Sequence, residues 1–445
     1  MRPRAFVRLG LFVAVGVGGV LTLSPTRGQV PADPPKTLPK EVLTPKPAPS
    51  PVVPAAAATA LKKPAPFDRY PLSKADSFDE LTRQLVFATR SGVEWLGRDG
   101  VHMPNGRFRP GINLALGRAS DDDSFLRQAT GAFALARAAK LTGEEKHAVR
   151  AAETILSLLA EAPKDTTGVR RPVQPSVICN RVASAAMLAM AIYELPQASA
   201  ELVQCAEELC GFLKGNLTAD GMVQATEPGE PTDAEGTHHI PGMTLSALAM
   251  SHRTAPAKWK AEALSRGYAF YRKQFRETPQ PALVPWLTTA FAEAYLQSKE
   301  AAYAEFVCEM CDWLKKLQYE STDARRGPWR GGFPTVADGK VVSTPPTADT
   351  ALYAMGFADA CRMIRQMEKP DAARYDGYRL ALTRALQFLA TLQLMSANTT
   401  HFADGFQQFL VGAFLSSANG GNVRTDHTAW TVVAFGQYFL AGADR

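Results

Sequence analysis

From about residue 78 onward, two kinds of helical segment alternate along the chain. The first kind carries one apolar face. In AEFVCEMCDWLKKL, Val307, Met310, Cys311, Leu314 and Leu317 fall on one side of a 3.6-residue period, with Glu309, Lys315 and Lys316 elsewhere. The second kind is apolar nearly all round and rich in small residues: VASAAMLAMAIY from Val182, WLTTAFAEAYL from Trp286, ALYAMGFADAC from Ala351 and TAWTVVAFGQYFL from Thr428. A helix without a polar face must be surrounded by other elements. The pattern therefore predicts outer helices over roughly 78–96, 144–160, 198–214, 257–275, 300–318 and 371–393. It predicts inner helices over roughly 123–140, 180–194, 240–251, 283–297, 347–367 and 427–440. No segment with a strand period competes. The expected fold is all-α, an (α/α)6 toroid of six helical hairpins.

An internal repeat supports the pairing. EMCDWLKKLQ at 309–318 has an echo in ELCGFLKGN at 208–216. An aromatic-or-Leu pair recurs near the end of each outer helix: Trp95-Leu96, Leu158-Leu159, Phe212-Leu213, Phe270-Tyr271, Trp313-Leu314 and Phe388-Leu389. Trp313, Phe212, Phe270 and Phe388 are expected at equivalent buried positions.

Ahead of this region the composition changes. Arg2, Arg4 and Arg8 precede an apolar run from Leu9 to Leu23. That is the shape of a secretory signal, and the run is short for the ~20 residues of a membrane helix. Residues 1–28 are read as a signal peptide or anchor, and residues 29–66, rich in Pro, Ala and Lys, as a disordered linker. The toroid is expected over 67–445 in an exported protein, with membrane contact only through the N-terminal segment. The net charge of +6 sits in the leader: residues 1–66 carry nine Lys or Arg and two acids, leaving the remainder near neutral. A near-neutral domain lacks the basic face that nucleic acid requires. The six cysteines follow helical spacing, and Cys308-x-x-Cys311 lies mid-helix, where core packing rather than redox chemistry or zinc is expected.

The run WLKKLQ, PWRGGFP and TADTALYAMGFADA resembles one repeat of the terpenoid cyclase and protein prenyltransferase toroids. NGGNVRTDHTAWTVVAF is similar to the final prenyltransferase-type repeat. The likeness is architectural over 80–440 and local over 305–360 and 419–440. Six-hairpin glycosidases, lyases and sugar epimerases share the ring and resemble the chain second. The prenyltransferase resemblance implies a zinc held by Asp, Cys and His. Asp349 and His427 stand where the Asp and His would be, but Ala351 replaces the Cys, so no metal and no cofactor are expected. Asp121-Asp122-Asp123 lacks the Asp-x-Asp-Asp pattern of proton-initiated cyclases and reads as helix-start acids.

Parallel inner helices would gather their N-termini, with unpaired N–H groups, at one end of the ring. The loops before them supply the candidate site. Glu235, His238 and His427 are the candidate acid–base groups. Arg181, Trp329, Arg330, Asp349, Arg424 and Asp426 are the candidate ligand contacts. For Asp426-His427 a helix cap with a buried histidine is an equal alternative. Three functions compete. A carbohydrate-active protein, if an enzyme a hydrolase, lyase or epimerase taking a small-molecule or oligosaccharide ligand, predicts a polar mouth. A terpenoid cyclase or prenyltransferase relative predicts a deep apolar cavity. An interaction scaffold predicts a plugged ring.

Overall fold

A computed structural model describes residues 64–173, 180–227, 238–320, 324–337 and 340–444. The signal segment and nearly all of the linker fall outside that range. The outer helices are α1 (Glu80–Leu96), α3 (Glu145–Ala160), α5 (Ala200–Gly215), α7 (Lys258–Glu277), α9 (Ala301–Lys315) and α11 (Ala372–Thr391). The inner ones are α2 (Phe125–Thr142), α4 (Arg181–Glu194), α6 (His239–Thr254), α8 (Val284–Ser298), α10 (Thr350–Arg365) and α13 (Thr425–Leu440), and a short α12 (Asp404–Leu410) interrupts the last loop. Each inner helix packs on the next, and α13 returns to α2, which closes the ring. The expected toroid is present, with helix ends within a few residues of the periodicity reading.

Buried apolar surface accounts for the inner helices. All but the first residue of α4 is buried, as are twelve residues of α8. Local caps fix the starts of two of them, α2 and α4: the side chain of Ser124 accepts from Arg127 N at 3.1 Å, and that of Asn180 from Ala183 N at 3.0 Å. The cysteines behave as core residues. Cys210, Cys308, Cys311 and Cys361 are buried free thiols, and burial holds Cys311 well above and Cys361 up at about 12. Cys179 lies outside the described residues.

The aromatic pairs are only partly equivalent. Phe212 and Phe388 are buried, whereas Phe270 and Trp313 are partly buried. The second member of the pair is the more constant one: Leu96, Leu213, Tyr271, Leu314 and Leu389 are all buried, with Leu159 the exception.

Among the described residues five short strands, absent from the periodicity reading, lie in the loops: β1 (Gly111–Asn113), β2 (Arg118–Ala119), β3 (Thr335–Ala337), β4 (Lys340–Val342) and β5 (Asn422–Arg424). β1 lies between β2 and β5, all antiparallel, with Ile112 opposite Val423. The first and last inter-helix loops are thereby stitched together. The fifth joins them through Ala348 N to Ser416 O at 2.9 Å.

Candidate functional site

Loops 1, 5 and 6 bring the starts of α2, α10 and α13 together. Asp426, in the first turn of α13, is the centre of this mouth. Arg424, at the end of β5, grips it through Nε to Oδ1 at 3.0 Å and Nη2 to Oδ2 at 2.6 Å. Arg127, buried on α2, approaches the same carboxylate through Nε at 3.4 Å and donates through Nη2 to Asp122 at 3.2 Å. Burial opposes the Asp426 charge, but His427, Arg424 and Arg127 outweigh it and hold the carboxyl down at about 2.

His427 follows on the same turn. Burial lowers its pKa against the pull of Asp426 and Asp349, so the ring is neutral at neutral pH. Its Nδ1 is buried and makes no hydrogen bond within the protein. Asp349, exposed just before α10, is near enough for its charge to act on both His427 and Arg424. Its carboxylate accepts from Thr347 Oγ1 at 2.9 Å. Toward the ring interior lie Trp430, partly buried, and the buried Trp286 and Phe133. Their centroids are 5.4 Å (Trp286–Trp430) and 6.3 Å (Phe133 to each) apart, so aromatic rings occupy the middle of the ring.

The structure therefore brings Asp349, Arg424, Asp426 and His427 together. Asp426 caps its own helix only through His427 N, at 3.0 Å, and it is Thr425 Oγ1 that reaches across to Arg109 O. Arg181 opens α4 and pairs with Glu227 at 3.1 Å. His238 is half-buried immediately before α6. Glu235 lies outside the described residues. Arg330 is placed on the outer wall instead, where it lines a small groove against Arg384 and Phe388 of α11, and Trp329, half-buried, packs on Tyr319 at 5.6 Å. The reason is local. Gly331, at φ +91°, turns the chain so tightly onto α11 that the preceding residues follow the outer helix.

No family model matches the chain, and no curated protein matches it. Solved structures do. An unsaturated glucuronyl hydrolase specific for heparin superposes with a TM-score of 0.56 at 13% identity, over 80% of this chain and 96% of that one. Cellobiose 2-epimerase from Bacillus thermoamylovorans gives 0.57 at 12%, over 79% and 99%. The α-1,6-mannanase GH76A of Salegentibacter gives 0.58 at 10%, over 80% and 99%. A variant of that mannanase described as inactive has two adjacent aspartates replaced. The chain has the six-hairpin toroid fold. These likenesses are to sugar-active rings and not to the terpenoid cyclases that the 305–360 and 419–440 segments resemble.

In this toroid the sequence reading missed Arg127, which sits two residues into α2 and reads as a helix-surface cation until its burial is seen. It also missed a charged cavity at the opposite end of the ring, where Arg137, Glu194, Glu293 and Arg362 meet. Among the described residues, the histidine–carboxylate group at metal-ligating distance is neither of these. It is Glu94, Glu144 and His147, and Lys146 already bridges its two carboxylates at 2.6 and 3.0 Å. Ala351, buried beside Asp349 in sequence, offers no ligand.

Proposed function

We propose that this chain is an exported carbohydrate-active toroid that holds a sugar at the inner-helix mouth and moves a proton there with His427. The observation that carries the reading is the His427 ring: neutral, with Nδ1 unused by the protein, beside two carboxylates on a fold shared with sugar epimerases and hydrolases. A neutral imidazole is a general base at physiological pH, and Asp426 and Asp349 stabilise the imidazolium it becomes. Asp426 itself, held ionised by two guanidiniums, serves as an acceptor for sugar hydroxyls and not as a proton donor. Trp430 offers an aromatic face below it. This arrangement favours abstraction of a proton next to a sugar carbonyl, an epimerase- or isomerase-type reaction.

Glycoside hydrolysis is the second reading. Asp121, Asp122 and Asp123 are adjacent at the same mouth, and burial raises the Asp123 carboxyl, the direction an acid catalyst needs. Against it, Gln128 Nε2 already holds both Asp123 oxygens at 2.9 and 3.0 Å. The terpenoid reading requires a deep apolar cavity, and Phe133, Trp286 and Trp430 occupy that space.

Incubation with reducing disaccharides and with acidic oligosaccharides in D2O separates the readings. Isomerisation that incorporates one carbon-bound deuterium, and so adds about 1 Da, reduced by ~10²–10⁴ in His427→Ala, supports proton transfer. New reducing ends, lost in Asp122→Asn or Asp123→Asn but not in His427→Ala, overturn it in favour of hydrolysis. No conversion and no sugar binding sinks both.

A further inference from the structure

The last turns of the six inner helices converge on a cavity of about 280 Å3 at the end of the ring away from the mouth. Its walls are charged: Arg137 and Lys140 from α2, Glu194 from α4, Arg253 from α6, Glu293 from α8 and Arg362 from α10. Most of the acceptors in this wall are already taken. Glu293 Oε1 accepts from Arg253 at 3.0 Å and Oε2 from Arg362 at 3.1 Å. Glu194 Oε2 accepts from Lys140 at 2.9 Å, and Oε1 faces Arg137 at 3.6 Å. Asp359, behind them, accepts from Thr289 at 2.7 Å and Gln437 at 2.5 Å.

The donors are not used up. A guanidinium has five N–H groups. Arg137 donates to Gln437 at 3.1 Å, and Arg253 and Arg362 each donate to Glu293. Arg362 Nε is buried without a hydrogen bond, 3.6 Å from Asp359. The lining is thus rich in spare donors and short of spare acceptors, and it requires a ligand with the opposite balance. The helix dipoles favour Lys140, Arg253 and Arg362 in these last turns, but they do not call for a shared cavity or for spare N–H groups within it. At this end of the ring, backbone carbonyls are reached by Arg365, on Gly442 O at 2.6 Å, and by Lys260, on Ala255 O at 2.6 Å, and neither lines the cavity. Stability does not account for it either, because apolar packing stabilises as well as buried ion pairs do.

We propose that this cavity is a second ligand site, for a small molecule carrying a carboxylate or phosphate group on a compact polar body. The oxyanion takes the free N–H groups of Arg137, Arg253 and Arg362. The volume lies just below the ~300–1,000 Å3 of ligand pockets, which limits the ligand to about monosaccharide size. The site is independent of the sugar mouth, since the Phe133, Trp286 and Trp430 rings lie between the two.

Calorimetric titration of the full chain with glucuronate, glucose 6-phosphate, inorganic phosphate and glucose tests this. At least one oxyanion is expected to bind with Kd at or below ~1 mM while glucose does not. Arg253→Gln is expected to weaken that binding at least ~10-fold, Arg253→Lys less, and His427→Ala not at all. The Arg253 side chain is 42% exposed, so the fold should tolerate its replacement. Lys140→Gln, at 32%, serves if a thermal melt shows otherwise. Glucuronate binding without phosphate binding identifies a carboxylate site, and the reverse a phosphate site. Failure of all three oxyanions to bind, equal binding of glucose, or binding indifferent to both Arg253→Gln and Lys140→Gln overturns the proposal.

Discussion

At the scale of single residues, the mouth is an exercise in holding charge out of water. Asp426 answers two guanidiniums, and its partner Arg127 is only 6% exposed. Asp426→Asn leaves Arg127 with Asp122 alone, so the expected loss is about 3 kcal/mol, the lower end for breaking a buried pair. Urea denaturation at pH 7 measures it, and a loss under about 0.5 kcal/mol would show that solvent already screens the pair. The sign of the pH dependence follows from the depressed carboxyl. Its contribution is full above the unfolded value of 3.8 and is lost as pH falls toward about 2. The histidines, two buried and His427 half-buried, act at higher pH. Burial lowers His102, His147 and His427 below 6.5, so the unfolded chain takes up protons that the folded chain refuses. Stability should therefore be greatest above pH 6.5 and fall as pH drops below it. Denaturation at pH 7.5 and 5.5 should show this fall, and His102→Gln should shrink the difference. A stability that is flat between the two pH values contradicts the assignment.

At the scale of elements, one device recurs where the last two outer helices, α9 and α11, turn back toward the ring. Gln318 Nε2 donates at 2.9 Å to both Gly331 O and Ala381 O of α11, and Gln393 Nε2 donates at 2.9 Å to Ala88 O of α1 and at 3.3 Å to Gly412 O. Gly331 and Gly412 both have positive φ, and a Cβ on Gly331 would lie 2.0 Å from Arg384 O. Gly331→Ala should cost at least ~2 kcal/mol by strain and displacement of the turn, whereas Gly327→Ala, with open space around it, should stay within ~0.5 kcal/mol. Equal melting of the two variants would show that the turn carries no packing. Much of this level is legible in sequence. The twelve long helices follow from apolar period and caps, because burial on one face or on all faces leaves a direct mark. A further repeat is legible only when loops are compared. Residues 103–106, 165–168 and 218–221 (MPNG, DTTG, TADG) form the same turn, each glycine donating to the first carbonyl at 3.0 to 3.1 Å. The burial of Arg127 and the cavity at the far end are not legible, because a cation near a helix end reads as solvated until the neighbours that enclose it are known. Arg330 misled for the converse reason: a cation beside an aromatic on a glycine turn suits a binding loop, yet it lies in a groove against the outer helix α11.

At the scale of the whole molecule, a ring has a seam, and its stability depends on what closes it. Here the closure uses the start of the domain as well as its last hairpin. Trp95 Nε1 donates to Phe409 O at 2.9 Å, β1 pairs with β5, and α1 packs on α13. Below them, residues ahead of α1 wedge into the seam. Phe67 is 3% exposed, with its ring edge-on to Phe439 at 5.1 Å and Arg90 over it at 4.8 Å. Tyr70 joins the same cluster and donates to Asp444 at the other terminus. The domain therefore starts earlier than its first long helix. The linker ahead of it, rich in proline and poor in large apolar groups, is expected to add nothing to stability. A chain beginning at Lys62 should melt at the same temperature as the full protein, and limited proteolysis should stop near that point. A chain beginning at Phe78 loses Phe67 and Tyr70 from the seam. Phe67→Ala alone should cost ~3–5 kcal/mol, and the shorter chain at least as much. Because every inner helix leans on both neighbours, that loss should lower the whole unfolding transition and not split it. If the chain from Phe78 melts with the full protein, or if a separate early transition appears, the terminal segment is an ornament on the ring and the seam is held by the last hairpin alone.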